Sequence, residues 1–202
     1  MLSVAKVRFE NIVDVYAYDS LEEAKQNKNS EQLLHTHNDI HPENMSFLLG
    51  SAIMRYEDNQ LAELVLGNGG AQVDNIGEAK IIRPNTTGRN ITLYNQTYNK
   101  PIGNDDPANL DPENNNITIE HVTGNSYTDV IVRATLNRYE PDGQDSIDTT
   151  ESLDETKKLY VFSEIGLQDK LGNLVCHTTF NPIEKTANRV IVIVYRVRII
   201  VV

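Results

Sequence analysis

Four residues whose side chains can bind a metal ion lie close together near the start of the chain. Three imidazoles and one carboxylate fall within seven positions, at His35, His37, Asp39 and His41. Imidazole nitrogens and carboxylate oxygens are common zinc ligands, and zinc with an open coordination position activates water for hydrolysis. These residue types and their spacing therefore raise the hypothesis of a small metallohydrolase.

The surrounding sequence departs from what such an enzyme needs. The run approaches the His-X-His-X-Asp-His signature of the metallo-β-lactamase fold, but Ile40 is inserted before the last histidine. A buried strand should precede that motif and further ligands should follow it. Only Leu33 and Leu34 precede it, and only His121 and His177 remain as histidines elsewhere. We therefore rank the metallohydrolase last and assign no catalytic, cofactor-binding or metal-binding residue.

A structural role accounts for the same residues. His35 and His37 are two positions apart, so they are expected to share one face of a β-strand. Asp39 and His41 are expected in the turn that leads to Pro42, where they would cap a helix. This interpretation requires no bound ion, and zinc analysis of the purified chain would test it.

Three further segments have residue types found in ligand sites but lack the required spacing. Gly67-Asn68-Gly69-Gly70 invites comparison with a phosphate-binding loop, yet it follows a predicted helix and lacks the Lys-Ser/Thr pair that binds phosphate and Mg²⁺. Asn104-Asp105-Asp106 and Asp142-Gly143-Gln144-Asp145 could ligate Ca²⁺, but neither has EF-hand spacing. We predict a turn for the first and solvated loops for the others.

The single cysteine, Cys176, is expected to be a small buried hydrophobe, since His177 would point to the opposite strand face.

The composition excludes several classes of partner. The chain has 202 residues and a formal net charge of -11. Nucleic acids and anionic membranes attract Lys and Arg, so we expect no nucleic acid and no membrane as partners. The apolar run over residues 190–202 is too short and too often interrupted by charge to cross a bilayer. The first residues lack the long apolar segment of a signal peptide, which indicates synthesis in a cytoplasm.

The apolar pattern predicts a mainly β fold with one long helix, of the α+β class. Alternating strands and turn signals indicate a single structural domain over residues 1–202, built as an antiparallel β-sandwich with a long loop or arm. Helices are predicted over residues 21–28 and 42–66, the second with a break near Glu57-Asp58-Asn59. Strands are predicted over residues 6–18 with a bulge near Asn11, and over residues 32–36, 117–122, 129–137, 159–163, 174–180 and 189–202.

Two segments are expected to stand apart from the strands. Residues 20–30 have the character of an insertion between strands. Residues 84–116 are rich in Asn, Asp and Pro and are expected to form an extended arm or long loop. Tyr94 and Tyr98 would be unusual in a flexible linker, so they favour an arm that packs against protein or becomes ordered on a neighbouring chain.

Four segments, in their order along the chain, resemble a family of virion structural proteins of tailed bacteriophages. They are residues 37–45 (HNDIHPENM), 66–70 (LGNGG), 162–167 (FSEIGL) and 180–189 (FNPIEKTANR). The similarity extends from about residue 4 to the C-terminus, and residues 20–29 are an insertion relative to the pattern. The segment at 164–167 also resembles parts of tail-fibre and baseplate proteins.

The resemblance implies a non-enzymatic building block of the virion. It would occur in symmetric copies, at the neck or head-tail connector, in the tail or as a head decoration. Its partners would be itself and other virion structural proteins. Its location would be the virion, and the host cytoplasm during assembly.

The last predicted strand, over residues 190–202, is long and almost entirely apolar. An exposed edge of this kind would aggregate, so we expect it to be central in a sheet or paired with another subunit. The leading hypothesis is an assembly protein that contacts its neighbours through the arm and this strand and closes into a symmetric oligomer. The alternative is a β-sandwich carbohydrate-binding or host-attachment module. The lack of Trp and the 6% aromatic content count against the alternative.

Overall fold

β-Strands make up most of the computed structural model, which describes residues 6–56, 59–73, 80–85, 91–141 and 159–202. The acidic segment 142–155, with its Ca²⁺ candidate Asp142-Gly143-Gln144-Asp145, lies outside the described residues. In chain order the elements are β1 (Val7–Tyr18), α1 (Leu21–Gln26), β2 (Glu31–His37), β3 (Asp39–Ile40), α2 (Pro42–Met54), β4 (Leu61–Gly67), β5 (Ala71–Val73), β6 (Lys80–Ile82), β7 (Gln96–Pro101), β8 (Asn116–Glu120), β9 (Tyr127–Leu136), β10 (Leu159–Asp169), β11 (Leu174–Thr186) and β12 (Val190–Val201).

The strands form two five-stranded sheets and one small ribbon. The first sheet has the order β2-β1-β12-β9-β8, and the second has the order β3-β11-β10-β4-β7. Strands β5 and β6 pair with each other. All these pairings are antiparallel. The predicted fold class, mainly β with a sandwich-like arrangement and one longer helix, is confirmed.

The inner faces of the two sheets share one core. In β1, Val13, Val15 and Ala17 are fully buried, while the residues between them are partly exposed. They pack in the same cluster as Phe162 of the second sheet. The hydroxyl of Tyr195 on β12 donates to the carbonyl of Ile165 on β10 at 3.0 Å and so links the sheets across the core. The alternation of buried and exposed residues in β1 is the period of two that a half-buried strand requires.

The apolar C-terminal strand is the centre of the first sheet. Strand β12 pairs with β1 on one side, from Val190 opposite Tyr18 to Val201 opposite Val7. It pairs with β9 on its other side. The expectation of a central strand is therefore confirmed. The alternative, in which its backbone pairs with another subunit, is wrong, because both edges of the strand are satisfied within the chain.

Two strands of the second sheet are longer than predicted. β10 extends to Asp169 and β11 extends to Thr186, past Pro182. Proline has no N–H for the ladder, and a bulge is one place where a strand tolerates it. The pairing of β10 with β11 has such an irregularity, since Phe162 pairs with Ile183 but Glu164 pairs with Thr179. The proline therefore did not end the strand as the sequence pattern indicated.

The helix predicted over residues 42–66 is too long. It ends at Met54, and Arg55 adopts the left-handed conformation that closes it. The chain then forms β4, whose Leu64, Val65 and Leu66 are all fully buried between β10 and β7. A short apolar run that is buried on both faces has no strand periodicity, so it cannot be distinguished by pattern from a helix. The predicted break at 57–59 falls between α2 and β4, and residues 57 and 58 lie outside the described part of the chain.

The predicted short helix and the strand predicted after it, over residues 32–36, are both present as α1 and β2. Ser20 caps α1, and its Oγ accepts a hydrogen bond from the N–H of Glu23 at 3.2 Å. Ala24 packs on the outer side of the first sheet against Val190 and Val192. The bulge predicted near Asn11 is wrong, because β1 pairs with β12 in continuous register from Val7 to Tyr18. The register of β1 with β2 shifts only between Val15 and Tyr16.

Much of the described part of residues 84–116 packs on the sandwich. β7 pairs with β4, and the Tyr98 ring meets the Tyr160 ring edge-on at 6.4 Å. Farther along, asparagine side chains hold the turns together. The Asn109 amide donates to the carbonyl of Asn115, and the Asn115 side-chain oxygen accepts from the N–H of Thr135 at 2.8 Å. These contacts connect the segment to β9. Residues 86–90 lie outside the described part.

Candidate docking surface on helix α2

The four candidate metal ligands do not converge. His35 and His37 are two positions apart on β2, both exposed, which agrees with the predicted shared strand face, and His35 Nδ1 lies 2.6 Å from Asp14 Oδ1. Asp39 is on β3, where its carboxylate accepts a hydrogen bond from the Asn85 amide. Across the described ranges no three His, Cys, Asp or Glu side chains are grouped so that they could hold a metal ion.

The capping role predicted for Asp39 and His41 is wrong. His41 occupies the N-cap position of α2, but its side chain makes no capping hydrogen bond. The ring instead turns inward and stacks on the ring of His177, with centroids 4.9 Å apart and Nε2 of His41 2.9 Å from Nδ1 of His177. Both side chains are buried. The two histidines are 136 positions apart, so local pattern could not have paired them.

Burial keeps this histidine pair neutral. It lowers the pKa of His177 to about 4, with the neighbouring His41 as a further cause, and it also lowers the pKa of His41. The negative charge of Asp39 acts in the opposite direction and raises both pKa values, but less than burial lowers them. A proton added to the pair would place positive charge in the protein interior. Nδ1 of His41 is also buried and has no hydrogen-bond partner among the described residues. We therefore expect the junction of β3, α2 and β11 to be sensitive to acid.

We expect this pair to make stability pH-dependent. A histidine whose pKa is lower in the folded state than in the unfolded state binds its proton mainly after unfolding. Full stability is present above the unfolded value of about 6.5 and is lost as the pH falls toward 4. A shift of this size corresponds to about 3 kcal/mol. Urea unfolding at several pH values between 7 and 4.5 should show the loss, and His177→Gln should flatten it.

The matched control for this prediction is the exposed His37. His37→Gln should leave the pH dependence of the unfolding free energy as it is in the parent chain. If the unfolding free energy of the parent chain and that of His177→Gln fell equally as the pH was lowered, the buried pair would not be the source of the acid sensitivity.

The glycine-rich segment binds a side chain of its own chain. It begins at Gly67, the last residue of β4, which is a strand and not the predicted helix, and it forms the turn that leads to β5. The N–H of Gly69 donates to Oε1 of the fully buried Glu164 at 3.0 Å. The same carboxylate accepts from the N–H groups of Tyr94 and Asn95, each at 2.8 Å. The predicted turn is confirmed, and the N–H of Gly69 is occupied by a side chain of the same chain.

Asn104, Asp106 and Cys176 are also used within the fold. Both side-chain atoms of Asn104 bind the backbone of Ile117, and Asp106 accepts from the N–H of Ala108. Cys176 lies in the core, and burial raises the pKa of its thiol to about 12. A thiol with so high a pKa is a poor nucleophile. The expectation of a buried hydrophobe is confirmed.

Helix α2 exposes large apolar side chains on its outer face. Met45 is buried and packs on the core together with the partly buried Leu48 and Leu49. On the outer side, Phe47 is 51%, Ile53 86% and Met54 82% exposed. Scattered exposed apolar residues are ordinary, but a contiguous group on one helix is typical of a binding surface.

A hollow extends this surface toward the turn between β10 and β11. It measures about 800 Å³ and is lined by Phe47, Gly50 and Met54 of α2, by Tyr56 and by Leu171 of the turn. Tyr56 and Leu171 also expose about half of their surface. We call this group, together with Ile53, the α2 surface.

The position of α2 is set by hydrogen bonds to β11. The N–H of His41 donates to the carbonyl of Val175 at 2.9 Å, and the Asn44 amide donates to the carbonyl of Leu174 at 2.7 Å. At the other end, the Asn59 amide donates to Ser51 Oγ at 2.9 Å. The helix is therefore held at both ends, and its outer face is presented in one orientation.

Electrostatics distinguish the α2 surface from the rest of the chain. Of the 13 residues in α2, only Glu43 is charged, whereas the whole chain has a formal net charge of -11. Charged residues are depleted at the centres of protein interfaces, and aromatic residues and Met are enriched there. The composition of α2 fits the centre of an interface. The sequence pattern did not reveal this surface, because the same residues fell within a longer predicted helix, over residues 42–66.

Comparisons with known proteins add no relative. No protein-family model, no curated protein and no solved structure matches this chain. In the part of the chain that the structure describes, no helix is long and apolar enough to span a membrane. The α2 surface is therefore the main functional evidence that the molecule itself offers.

Proposed function

We propose that this chain is a non-enzymatic structural protein of a tailed-bacteriophage virion, which oligomerises and docks on neighbouring virion proteins. The observation that carries the docking role is the exposed, nearly uncharged α2 surface on an otherwise acidic chain. The four sequence segments that resemble virion structural proteins support the location. The neck or head-tail connector, the tail and the head surface are the positions that the resemblance implies.

The energetics of the α2 surface favour association. Burying a fully exposed Ile or Met side chain stabilises a complex by about 1.5–3 kcal/mol. Ile53 and Met54 are both more than four-fifths exposed, so burying either one in a contact yields most of this stabilisation. The net negative charge elsewhere keeps separate copies soluble and discourages contact through other faces. Association is thereby directed to α2.

We expect charged substitutions on α2 to abolish docking. Ile53→Lys or Met54→Lys would place an ammonium group in the interface, where its desolvation is not compensated. Self-association measured by sedimentation velocity should weaken at least tenfold, and co-sedimentation with phage particles should be lost. Circular dichroism should stay unchanged, because both side chains lie outside the core.

The matched control is Val122→Lys. Val122 is also apolar and 63% exposed, but it lies between β8 and β9, outside both α2 and the predicted arm. This variant should associate like the parent chain. A parent chain that stays monomeric and does not bind particles would refute the proposal. Glycan binding by such a monomer would favour the carbohydrate-binding alternative.

A further inference from the structure

We propose that a second hollow, between α2, the start of β4 and the edge strand β8, binds an aliphatic ammonium group. This is the chemical form of a lysine side chain and of a free primary amine. The hollow measures about 400 Å³, a size typical of small-molecule sites. It uses Leu48 and Ala52 of α2 and shares no lining residue with the α2 surface. The inference therefore goes beyond the proposed docking function, and we call this site the β8 hollow.

The floor of the β8 hollow is apolar. Leu48, Leu61 and Ile117 line it, and all three are partly buried and pack on the core that the two sheets share. Ile119 lies two positions after Ile117, on the same face of β8, and 71% of its surface is exposed. A hydrocarbon chain gains free energy on such a floor, whereas a hydrated inorganic ion gains none.

Two carboxylates lie at the rim of the β8 hollow. They belong to Asp105, which is exposed, and Asp106, which is partly exposed. Neither forms an ion pair with another described residue. Lys170 supplies the single positive charge among the lining residues, so two carboxylates and one ammonium give the walls a net charge of -1. The rim therefore favours a cation over an anion.

A buried acceptor on the wall is an independent reason to expect a donor. Asn59 lines the β8 hollow and is 1% exposed. Its amide nitrogen donates to Ser51 Oγ at 2.9 Å, but its side-chain oxygen has no hydrogen-bond partner among the described residues. A buried acceptor without a donor costs free energy, which a bound N–H group would recover. The rim and this acceptor therefore favour the same ligand group, an ammonium.

Hydrogen bonds hold the rim in place before any ligand binds. Asp106 Oδ1 accepts from the N–H of Ala108 at 2.8 Å, which leaves Oδ2 for a ligand. The Asn104 side chain accepts from the N–H of Ile117 and donates to its carbonyl, each at 2.9 Å. Gly103 allows Asp106 to pack closely, since a Cβ added to the glycine would lie 3.1 Å from the Asp106 Cβ. A preorganised site loses little conformational entropy on binding.

Pentylamine, 1-pentanol and pentanoate test the chemistry of the site, because they share a hydrocarbon chain and differ in the charge of the head group. At neutral pH the full chain should bind pentylamine, bind pentanol roughly fivefold more weakly, and show no saturable binding of pentanoate. Chemical-shift changes in ¹H–¹⁵N NMR spectra measure the affinity and should centre on Gly103 and Ile119. Equal binding of the amine and the carboxylate, or shifts confined to other residues, would overturn the inference.

A double variant, Asp105→Asn with Asp106→Asn, tests the rim. Pentylamine should bind it roughly fivefold more weakly and pentanol as tightly as before, because only the charge is removed. An asparagine at position 106 keeps the oxygen that accepts from Ala108. The control is Glu113→Gln with Glu120→Gln, which removes two exposed carboxylates that do not line the hollow. Equal weakening in both double variants would show a general charge effect and overturn the assignment of the rim.

Ile119→Ser tests the floor. It should weaken the binding of pentylamine and of pentanol alike, because both lose apolar contact with the same side chain. Val122→Ser is the matched control, since Val122 is also exposed and apolar but does not line the hollow. Both side chains are more than half exposed, so the two variants should fold. Unchanged binding by Ile119→Ser would place the ligand elsewhere.

Two further ligands distinguish the source of the ammonium group. Nα-acetyl-lysine amide represents a lysine side chain of another protein, and 1,5-diaminopentane represents a free amine. Both contain the proposed group, so at least one should compete with pentylamine, and the tighter of the two identifies the source. Calcium chloride at the same concentration should not compete. Displacement of pentylamine by Ca²⁺ alone would show a site for an inorganic cation and would overturn the inference.

Discussion

Glu164→Ala should lower the free energy of unfolding by about 3–5 kcal/mol, a large part of the stability of a domain this size. The Glu164 carboxylate is completely buried and accepts hydrogen bonds from the N–H groups of Gly69, Tyr94 and Asn95. Removing it leaves three backbone donors without their acceptor and separates the 67–70 turn from the segment before β7. Urea unfolding followed by circular dichroism measures the change.

Two further variants sharpen this experiment. Glu164→Gln keeps the shape, but its amide can present only one oxygen, so a donor would face either Tyr94 or the other two N–H groups. We expect an intermediate loss of about 2 kcal/mol. Glu120→Ala, an exposed glutamate on β8, should change stability by less than about 0.5 kcal/mol. Equal stability of the alanine variants at 164 and 120 would show that the carboxylate does not hold the turn.

Gly70→Ala should destabilise the chain by about 3 kcal/mol or more. A Cβ at this position would lie 2.2 Å from the carbonyl oxygen of Ser163, and that backbone belongs to β10 in the middle of the second sheet. Neither the turn nor the strand can move without breaking its own hydrogen bonds. Thermal and urea unfolding should both show the loss.

The opposite result is expected for the same substitution in α2. Gly50→Ala adds a methyl group where the described structure has nothing within 4 Å, and alanine favours a helix over glycine by about 0.5–1 kcal/mol. The variant should therefore be slightly more stable than the parent chain, measured at low protein concentration so that self-association contributes little. If both glycine variants change stability in the same direction, the close approach at Gly70 is not the cause.

Local sequence was sufficient to predict most strands and the first helix. Alternation along β1 and β9 shows which residues face inward, because successive side chains in a strand point to opposite faces. Ser20 three positions before Glu23 predicted the start of α1, since a cap depends on neighbouring residues alone. The apolar character of residues 190–202 likewise indicated a strand buried in the middle of a sheet.

Local sequence was misleading where burial is complete. Leu61, Leu64 and Val65 have helical spacing, yet they belong to β4, which is covered by protein on both sides. The chain forms a strand there because β10 and β7 provide partners for its backbone, and those partners lie far away in sequence. This error also concealed the α2 surface, since a shorter helix leaves Ile53 and Met54 outside the core.

The sequence alone established an acidic, strand-rich chain with a glycine turn after residue 66 and without a recognisable catalytic motif. It could not show that Glu164 binds that turn, that His41 meets His177, or that the outer face of α2 is exposed. Each of these depends on contacts between segments 70 to 136 positions apart, and such contacts form only when the two sheets stack. Hydrophobic patterning acts over a few residues, whereas the partners of buried polar groups are chosen by the packing of the whole chain.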